Sequence, residues 1–531
     1  MAKKMLVVGL VLLMVLTVVL GCAKPAPEPP PAPPPEEKVA PPPEEAVAPP
    51  PPKKLVIALA HEPKGLEAML GERPPGASVM YNMYEWLLAR DKSGKLVPGL
   101  CETWTVSPDG KEMYFTLRKG VKFHSGDPLT ATDVKWSYLR QHAHPKAKRY
   151  VVSVESCEII DDYHFVLHFT EPSTEFLPNL GFPIGSKIYY RRVGAEEFAS
   201  NPVGTGPYKF VAHRAGEYID VEAYEDYWGG APSVKEARFV FATEDTTRVA
   251  MLKTGEADII LQVPYPLVED VEGTPGLKTE HIFVEGLNCF LGFPNYNKDA
   301  PWYDKRVRQA IAHAIDREAI VNDLFKGLPA SYPGLAPWEV GYDPDLKHWS
   351  YDPEKAKALL AEAGYADGFA MPVYYMIGKA AGLKETVEAV TLYLNAVDIE
   401  VEIRPVEILA FVGNVSPNFK KPDCDFTLML AGPLAGHPEP LGALKISFSL
   451  DFRHAFWGDP EVDALIKEGL TILDDTKRGK LTKQVVRKLH DDLAYIPIWN
   501  TNLYYGMKDN IDYIPTAGMY EPMLLKDVKV K

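Results

Sequence analysis

The pattern of hydrophobic and polar residues predicts strands and helices that alternate along most of the chain. Residues 55–60 form a continuous apolar run, which is typical of a buried strand. Residues 304–324 carry apolar side chains near a period of about 3.6 residues, which predicts one long amphipathic helix. Residues 371–376 and 399–403 are predicted strands with a helix, residues 383–395, between them. Strands that alternate with helices predict βαβ units, a largely parallel sheet and hence an α/β fold.

Residues that favour turns and helix caps mark where some of these elements begin and end. Gly110 closes a predicted turn at 107–110, in which glycine accepts a positive φ. Residues 113–117 then alternate between two faces, as a half-buried strand does. Thr130 and Asp133 have the spacing of a capping box at the start of a helix. A hairpin that leads into a capped helix is common and by itself indicates no function.

The first residues form a predicted export signal. Two lysines precede an apolar run, residues 5–20, that is shorter than a typical membrane-spanning helix. Residues 19–22, Val-Leu-Gly-Cys, resemble a bacterial lipobox, which implies cleavage before Cys22 and a diacylglycerol on its thiol. The alternative is an ordinary signal peptide with a cysteine there by chance. We therefore predict a lipoprotein signal peptide at 1–21.

The segment after the signal is a predicted spacer. From Cys22 to residue 54 the chain consists mainly of proline, alanine, glutamate and valine, which cannot build a core and which favour extended polyproline II. Each methylene of an acyl chain contributes about 0.8 kcal/mol when it enters a membrane, so several long chains hold a protein there. Residues 22–54 are thus predicted to tether a globular body to the periplasmic or cell-surface face of a membrane.

Length, charge and cysteine usage limit the class of protein. The chain has 531 residues, 46% of them hydrophobic, which is enough for two or three domains with cores. Its formal net charge of −15 argues against a nucleic-acid partner. Four further cysteines are widely spaced without a C-x-x-C pair, so no zinc site, other metal site or cofactor is predicted. Export permits one or two disulfides, and the spacing leaves their pairing open among Cys101, Cys157, Cys289 and Cys424.

A long motif in the first third of the chain carries a family resemblance. The pattern W-x-x-S-x-D-G-x-x-x-x-F-x-L-R-x-G-V-K-F-H-x-G-x-P-x-T-A-x-D-V runs from Trp104 to Val134. It resembles the signature of the peptide/nickel class of extracellular solute-binding proteins, family 5. These are receptors of bacterial ABC importers and are related to the dipeptide- and oligopeptide-binding proteins. The resemblance implies that this stretch, including His124 and Asp133, is scaffold of a first lobe.

The resemblance extends over nearly all of residues 55–531. Residues 202–208 resemble the family's P-x-G-T-G-P-Y turn, residues 227–232 its Y-W-x-G-x-P element, and residues 307–320 another family hallmark. It implies an α/β, two-lobed periplasmic-binding-protein type II (Venus flytrap) fold with an extra subdomain in the first lobe. The implied domains are a first lobe at 55–282, a second lobe at 283–494 and a C-terminal return to the first lobe at 495–531.

The resemblance also implies where a ligand binds, because family members hold their solute between the lobes. Dipeptide-binding relatives bind the ligand's amino group with an Asp in a G-W-x-x-D-Y-P-D-P-like segment. Residues 432–440 match its framework, but Gly436 stands at the Asp position and His437 at the aromatic one. A buried ammonium without a counter-carboxylate is costly, so the usual pose of a zwitterionic peptide is disfavoured. Lys379 is the nearest cation to the place where relatives hold a ligand carboxylate. Residues 61–63, after the first strand, lie where many binding proteins have a ligand-facing loop. Further candidate contacts are Tyr375, Trp499, Asn500 and Tyr504.

More than one function remains open at this point. The leading prediction is a monomeric, lipid-anchored substrate-binding protein that delivers a solute, a peptide by family default, to ABC permease subunits with their ATPases. The second has the same architecture but binds a nickel chelate, a sugar or an organic acid, because Gly436 replaces the Asp. An exported hydrolase is disfavoured, since the chain has no G-x-S-x-G and no H-E-x-x-H pattern, and no catalytic residue is predicted. A purely structural lipoprotein would not need two hinged lobes.

Overall fold

The computed structural model describes the chain from residue 54 to residue 531, except for residues 71–76, 93, 146, 378, 381, 434–438 and 517–521. The predicted signal peptide, Cys22, nearly all of the spacer, Gly436 and His437 therefore lie outside the described residues. None of the helices within the described ranges combines the length and the apolar character that crossing a bilayer requires.

The strands of the described residues fall into one large sheet and three small ones. In chain order they are β1 Leu55–Leu59, β2 Leu88–Arg90, β3 Leu96–Pro98, β4 Cys101–Val106, β5 Glu112–Leu117, β6 Val154–Ile159, β7 His164–Phe169, β8 Tyr208–Arg214, β9 Tyr218–Ala223, β10 Glu236–Phe241, β11 Ile259–Ile260, β12 Leu277–Gly292, β13 Phe369–Met376, β14 Ile399–Val406, β15 Thr427–Pro433, β16 Tyr495–Lys508, β17 Ile511–Asp512 and β18 Lys529–Val530.

Helices lie between most of these strands, and two of them, α8 and α11, continue into π-helical turns at Ile320–Leu324 and Phe411–Val415. In chain order they are α1 Ala77–Met83, α2 Ala131–Ala143, α3 Lys187–Val193, α4 Ala195–Ser200, α5 Asp245–Thr254, α6 Tyr265–Glu272, α7 Lys305–Ala314, α8 Arg317–Ala319, α9 Pro353–Glu362, α10 Leu383–Asn395, α11 Ile408–Ala410, α12 Pro440–Phe448, α13 Pro460–Gly469 and α14 Asp475–Asp491.

Two long strands join the two halves of the large sheet, whose order is β14-β13-β15-β12-β16-β11-β1-β10-β9-β8. Strands β12 and β16 pair antiparallel from Leu277 opposite Lys508 to Gly292 opposite Tyr495. Their register shifts after Phe283, which marks an irregularity in the middle of β12. The strands β13 to β15 lie beside one end of this crossing pair, and β11, β1 and β10 lie beside the other. The sheet therefore runs through two lobes.

Two hydrophobic clusters form the core, and β16 contributes to both. One cluster fills the second lobe, continues beneath α5 and α6 of the first lobe, and contains Trp499 and Tyr504. The other is confined to the first lobe and contains Tyr505 and Met507. Successive side chains of a strand point to opposite faces of the sheet. Tyr504 and Tyr505 of β16 therefore pack into different clusters.

An antiparallel sheet in the order β4-β5-β7-β6 forms the extra subdomain of the first lobe. Phe115 of β5 stacks on Phe165 of β7 with ring centroids 5.1 Å apart. Met113, Phe115 and Leu117 are buried whereas Tyr114 is exposed, so the predicted alternation of this strand is confirmed.

The first-lobe motif serves as scaffold, as the resemblance implied. The backbone N–H of Thr130 donates to Asp133 Oδ2 at 3.0 Å, which is one half of the predicted capping box. Asp133 Oδ1 accepts a further bond from the Lys187 N–H at 2.9 Å. His124 is half-buried, with Nε2 2.9 Å from the Gly206 carbonyl oxygen, and desolvation lowers its pKa to about 4. Both side chains are thus committed to contacts inside the first lobe.

Two predictions about these elements are wrong. Residues 304–324 do not form one helix, because α7 ends at Ala314 and Ile315 is extended, with φ −99° and ψ 117°. Asp316 then starts α8 by accepting the Ala319 N–H at 2.9 Å, and such a cap favours a new helix start over continuation. The sheet is mixed rather than largely parallel, because β12 and β16 bring antiparallel pairing into its centre and β8 and β9 bring it to one edge.

Candidate functional site

The parallel strands of both lobes end toward the middle of the crossing pair. In the first lobe β1, β10 and β11 are parallel, and Ile260, the last residue of β11, lies opposite Gly506 of β16. In the second lobe β13, β14 and β15 are parallel, and Pro433, the last residue of β15, lies opposite Leu287 of β12. Ligands of open α/β sheets bind outside the carboxyl ends of the strands. We therefore take these facing ends as the candidate site and call it the crevice.

Asn500 is the hydrogen-bonding centre of the crossing strands and is 3% exposed. Its Oδ1 accepts the Tyr332 N–H at 2.9 Å, and its Nδ2 donates to Asn288 Oδ1 at 2.5 Å. Its own backbone N–H donates to the Ala330 carbonyl at 2.7 Å. These bonds tie the second-lobe loop 330–332 to both crossing strands.

An aromatic cluster beside this centre joins the two lobes. Tyr265, at the start of α6 in the first lobe, packs edge-on against Trp499 and Tyr504 with centroids 6.2 and 6.0 Å away. Its hydroxyl donates to the Asn502 carbonyl at 3.0 Å, and Trp499 Nε1 donates to Thr386 Oγ1 at 2.8 Å. The polar atoms of both buried rings are therefore satisfied within the protein.

The structure brings the predicted ligand contacts of the crossing strand together, but it buries them. Trp499, Asn500 and Tyr504 are 1%, 3% and 6% exposed, and each packs or hydrogen-bonds inside the protein. In this arrangement their side chains hold the crossing strands, and a contact of any of them with a ligand remains a prediction.

The other predicted contacts belong to the second-lobe edge of the crevice. Tyr375 is buried near the end of β13. Lys379 is half-buried in the loop after β13 and interacts with the rest of the protein. Gly436 and His437 follow β15 in the chain and lie outside the described residues. Their roles in binding remain predictions.

Glu62 is a charged group on the first-lobe side of the crevice, in the predicted loop after β1. Its carboxylate lies 2.5 Å from His213 Nε2 and accepts the Gly216 N–H at 2.8 Å. Burial raises the pKa of Glu62, but these two hydrogen bonds outweigh it and leave the pKa below its ordinary value. The sequence pointed to the loop but not to these partners, which lie 151 and 154 residues away.

Arg248, which the sequence did not single out, holds the carboxyl ends of β10 and β11 in place. Its guanidinium is fully buried and donates to the Ala242 and Thr243 carbonyls at 2.8 and 2.9 Å and to the Leu261 carbonyl at 3.2 Å. It also pairs with Asp245 at the start of α5. The planar guanidinium of Arg248 thus links the loop after β10 to the loop after β11, and these two loops form the first-lobe edge of the crevice.

Apolar side chains are exposed at the second-lobe edge and beside the crossing strands. Ile377 directly follows β13, and Ile408 is the second residue after β14; their side chains are 44% and 43% exposed. Trp338 is half-exposed and packs edge-on against Phe283 of β12, with centroids 4.6 Å apart. The crevice therefore offers apolar surface to a solute as well as the carboxylate of Glu62.

The described ranges contain no group of three or more His, Cys, Asp or Glu side chains placed to hold a metal ion. Cys101, Cys157, Cys289 and Cys424 are buried free thiols, so the disulfides that export would permit do not form among them. Burial raises the pKa of Cys157 to about 12 and that of Cys424 to about 11, which keeps these thiols protonated and unreactive.

Comparisons with known proteins agree with this architecture. A family model described as bacterial extracellular solute-binding proteins, family 5 (middle), matches residues 95–451. The dipeptide-binding protein of Escherichia coli strain K12 is 32% identical over 507 residues, which cover 86% of this chain and 91% of that protein. Heme-binding protein A of Haemophilus influenzae is 30% identical over 452 residues, which cover 76% of this chain and 79% of that protein.

Solved structures show the same fold. The structure of HbpA2 from Haemophilus parasuis matches with a TM-score of 0.79 at 24% identity, covering 90% of this chain and all of that one. The α/β, two-lobed type II fold that the sequence motifs implied is thereby confirmed. Because the family model matches more than half of the chain, this protein belongs to family 5 of the bacterial extracellular solute-binding proteins.

Proposed function

We propose that this protein captures a solute in the crevice and delivers it to the membrane permease of an ABC importer. The observation that supports this most is that the parallel strands of both lobes direct their carboxyl ends toward the crossing pair β12 and β16. Two lobes joined by such strands can close around a solute and shield it from water. The chain then acts as a monomeric carrier, and the solute leaves it chemically unchanged.

A peptide is the first candidate solute. The similarity to a dipeptide-binding protein favours it, and Glu62 offers a carboxylate for a peptide ammonium on the first-lobe side. Ile377 and Ile408 offer apolar contacts for peptide side chains. The second candidate is a nickel chelate, a sugar or an organic acid, because Gly436 supplies no carboxylate where dipeptide-binding relatives have an Asp. The similarity to a heme-binding protein supports a change of solute within this family.

A thermal-shift screen tests the proposal with di- and tripeptides, sugars, organic acids and nickel–histidine as the probes. A ligand at roughly 100 times its dissociation constant adds about 2.7 kcal/mol to the free energy of unfolding, so a true ligand raises the melting temperature clearly. Stabilisation by peptides supports the first candidate, and stabilisation by another class alone supports the second. A probe that is chemically converted would contradict a carrier role.

The compound found in this way can be used to test the loop after β15. His437→Ala is expected to weaken binding in calorimetry, because His437 aligns with the ligand loop of dipeptide-binding relatives. His164→Ala, on the exposed surface of the first-lobe subdomain, serves as the control and is expected to leave the affinity unchanged.

Membrane attachment through Cys22 is a separate part of the proposal. We expect that Cys22→Ser releases the protein into the soluble fraction of cells that process lipoproteins, because the acyl chains need this thiol. Fractionation followed by mass spectrometry of the amino terminus measures the change. Ala23→Ser leaves the thiol in place and is expected to keep the protein in the membrane fraction. Sedimentation of the Cys22→Ser protein with membranes would show another means of attachment.

A further inference from the structure

Thr501 occupies the middle of the crossing pair, where the pairing of β12 with β16 is interrupted. Phe283 lies opposite Asn502. The next residue of β12 that pairs with β16 is Asn288, which lies opposite Asn500. The four residues between Phe283 and Asn288 therefore stand opposite Thr501 alone. Extra residues in one strand interrupt the ladder, and such bulges are over-represented beside active sites.

This interruption coincides with the crevice. Leu287, one of the extra residues of β12, lies opposite Pro433 at the carboxyl end of β15. On the other side of β16, the backbone N–H of Val263, which follows β11, donates to the Tyr504 carbonyl at 2.8 Å. Thr501 thus stands between the strand ends of the two lobes.

The two polar neighbours of Thr501 in β16 hold a loop of the second lobe. Asn500 accepts the Tyr332 N–H at 2.9 Å, and Asn502 Nδ2 donates to the Leu328 carbonyl at 2.7 Å. The Thr501 side chain has no comparable role. It is 6% exposed, and its Oγ1 is closed off from solvent and has no hydrogen-bond partner in the part of the chain that the structure describes.

A buried hydroxyl without a partner is costly, because folding removes the hydrogen bonds that water gives it in the unfolded chain. Valine has nearly the same shape, suits a strand and carries no such cost. An ordered water would need about three polar partners, and the neighbouring asparagines direct theirs to the second-lobe loop. The hydroxyl at position 501 is therefore explained best by a group of another molecule that bonds to it.

The surroundings of Thr501 indicate what kind of group this is. Residues 499–503 of β16, Trp-Asn-Thr-Asn-Leu, carry no charge. The threonine hydroxyl is neutral and can both donate and accept a hydrogen bond. A charged group of the solute would lose its water here without gaining a counter-charge from this strand. A neutral amide or carbonyl group suits the place.

We propose that Thr501 is a specificity-determining residue of the crevice, and that its hydroxyl bonds a neutral amide or carbonyl group of the solute. The solute reaches the hydroxyl when the lobes separate, and their closing buries the bond. Among the candidate solutes this favours peptides, whose backbone supplies such groups at every residue. The inference deepens the proposed function and rests on it, because it concerns solute capture at the same crevice.

Calorimetry and thermal shift on four proteins test the inference: the parent, Thr501→Val, Thr501→Ser and Tyr296→Phe. The probes are the di- and tripeptides, sugars, organic acids and nickel–histidine of the solute screen. Thr501→Val keeps the shape of the side chain and removes the hydroxyl, so we expect the affinity for peptides to fall about tenfold. Thr501→Ser keeps the hydroxyl and should bind peptides more tightly than Thr501→Val does.

Tyr296→Phe is the matched control. Tyr296 Oη is also buried and without a partner among the described residues, but it lies in the loop beyond the second-lobe end of β12. We expect this variant to bind peptides with the affinity of the parent. Without any probe, Thr501→Val and Tyr296→Phe should both melt at the temperature of the parent or above it, because each loses an unpaired buried hydroxyl.

Two results would overturn the inference. If Thr501→Val and the parent bind the stabilising probe with equal affinity, the hydroxyl does not contact the solute. If ligand-free Thr501→Val melts below the parent while Tyr296→Phe does not, the hydroxyl already has a partner, such as a bound water. When no probe binds any of the four proteins, the proposed solutes are contradicted, whereas the melting temperatures still decide whether the hydroxyl is unpaired.

Discussion

Replacing Arg248 by methionine is expected to lower the free energy of unfolding by about 3–5 kcal/mol, the range found when one partner of a buried charged network is removed. The methionine keeps much of the side-chain volume but donates no hydrogen bond. The carbonyls of Ala242, Thr243 and Leu261 would then be left without the donors they have now. Chemical denaturation of the variant against the parent protein measures the loss.

A matched control separates burial from the substitution itself. Arg214→Met removes an arginine whose side chain is 68% exposed and which pairs with Glu217 on the surface. Its expected cost is below about 1 kcal/mol, as for most exposed ion pairs. Arg248→Lys keeps the positive charge but lacks the planar guanidinium. Its loss in the free energy of unfolding should therefore lie between the losses of Arg248→Met and Arg214→Met. Equal costs for Arg248→Met and Arg214→Met would refute the bridging role of Arg248.

The same variant connects stability with solute binding. The carbonyls that Arg248 holds follow β10 and β11 at the first-lobe edge of the crevice. Without the guanidinium the two loops lose their common partner, so we expect weaker binding of whichever probe stabilises the parent protein. The Arg214→Met control should bind that probe with unchanged affinity.

Changing Glu85 to glutamine is expected to make the protein more stable than the parent at pH 8 while leaving the two similar near pH 4. Burial is the main cause that raises the pKa of Glu85 from 4.5 to about 7. Its carboxylate accepts hydrogen bonds from Tyr227 Oη at 2.8 Å and Trp228 Nε1 at 2.9 Å, which only partly offset the burial. Glutamine can accept from Trp228 and donate to Tyr227, so it suits the same place.

The direction of the pH dependence follows from the raised pKa. The unfolded chain releases this proton at a lower pH than the folded chain does, so folded Glu85 loses relative stability as the pH rises from about 4.5 through about 7. The full shift corresponds to at most about 3 kcal/mol, and the partial exposure of Glu85 makes this an upper value. Below pH 4.5 the group is protonated in both states and contributes no difference.

Unfolding curves of both proteins at several pH values measure the effect. The difference in melting temperature between Glu85→Gln and the parent should grow between pH 5 and pH 8, the window that the two pKa values define. Glu468→Gln, on an exposed position of α13, is expected to show no such trend. A difference that stays constant with pH would show that Glu85 is ionised throughout this range.

Features that depend on neighbouring residues could be predicted from the sequence. Gly110 has the positive φ expected of its turn, 71°, and Asp352 caps α9 by accepting the Lys355 N–H at 2.9 Å. The strand around Phe115 buries the face that its alternation indicated. Each of these depends on a few adjacent residues, whose preferred dihedral angles and side-chain spacing act regardless of the rest of the chain. The family resemblance rested on the same local motifs.

Part of the candidate site was predictable for the same reason. The loop of Glu62 follows the apolar strand β1, and Tyr375 lies near the end of β13; strand ends of this kind are recognisable in a sequence. The burial of Trp499 and Asn500 was not recognisable, because their partners Thr386 and Asn288 lie 113 and 212 residues away. The break at Ile315 was also missed, since the apolar period continues through it while Asp316 starts a new helix.

The fold class, the family and the ends of several strands could be inferred from the amino-acid sequence. The pairing of β12 with β16 and the hydrogen bonds by which Arg248 joins two loops became visible only in the folded chain. Periodicity shows which face of an element is buried but not which distant element buries it. That choice depends on the packing of the whole sheet, which joins residues hundreds of positions apart.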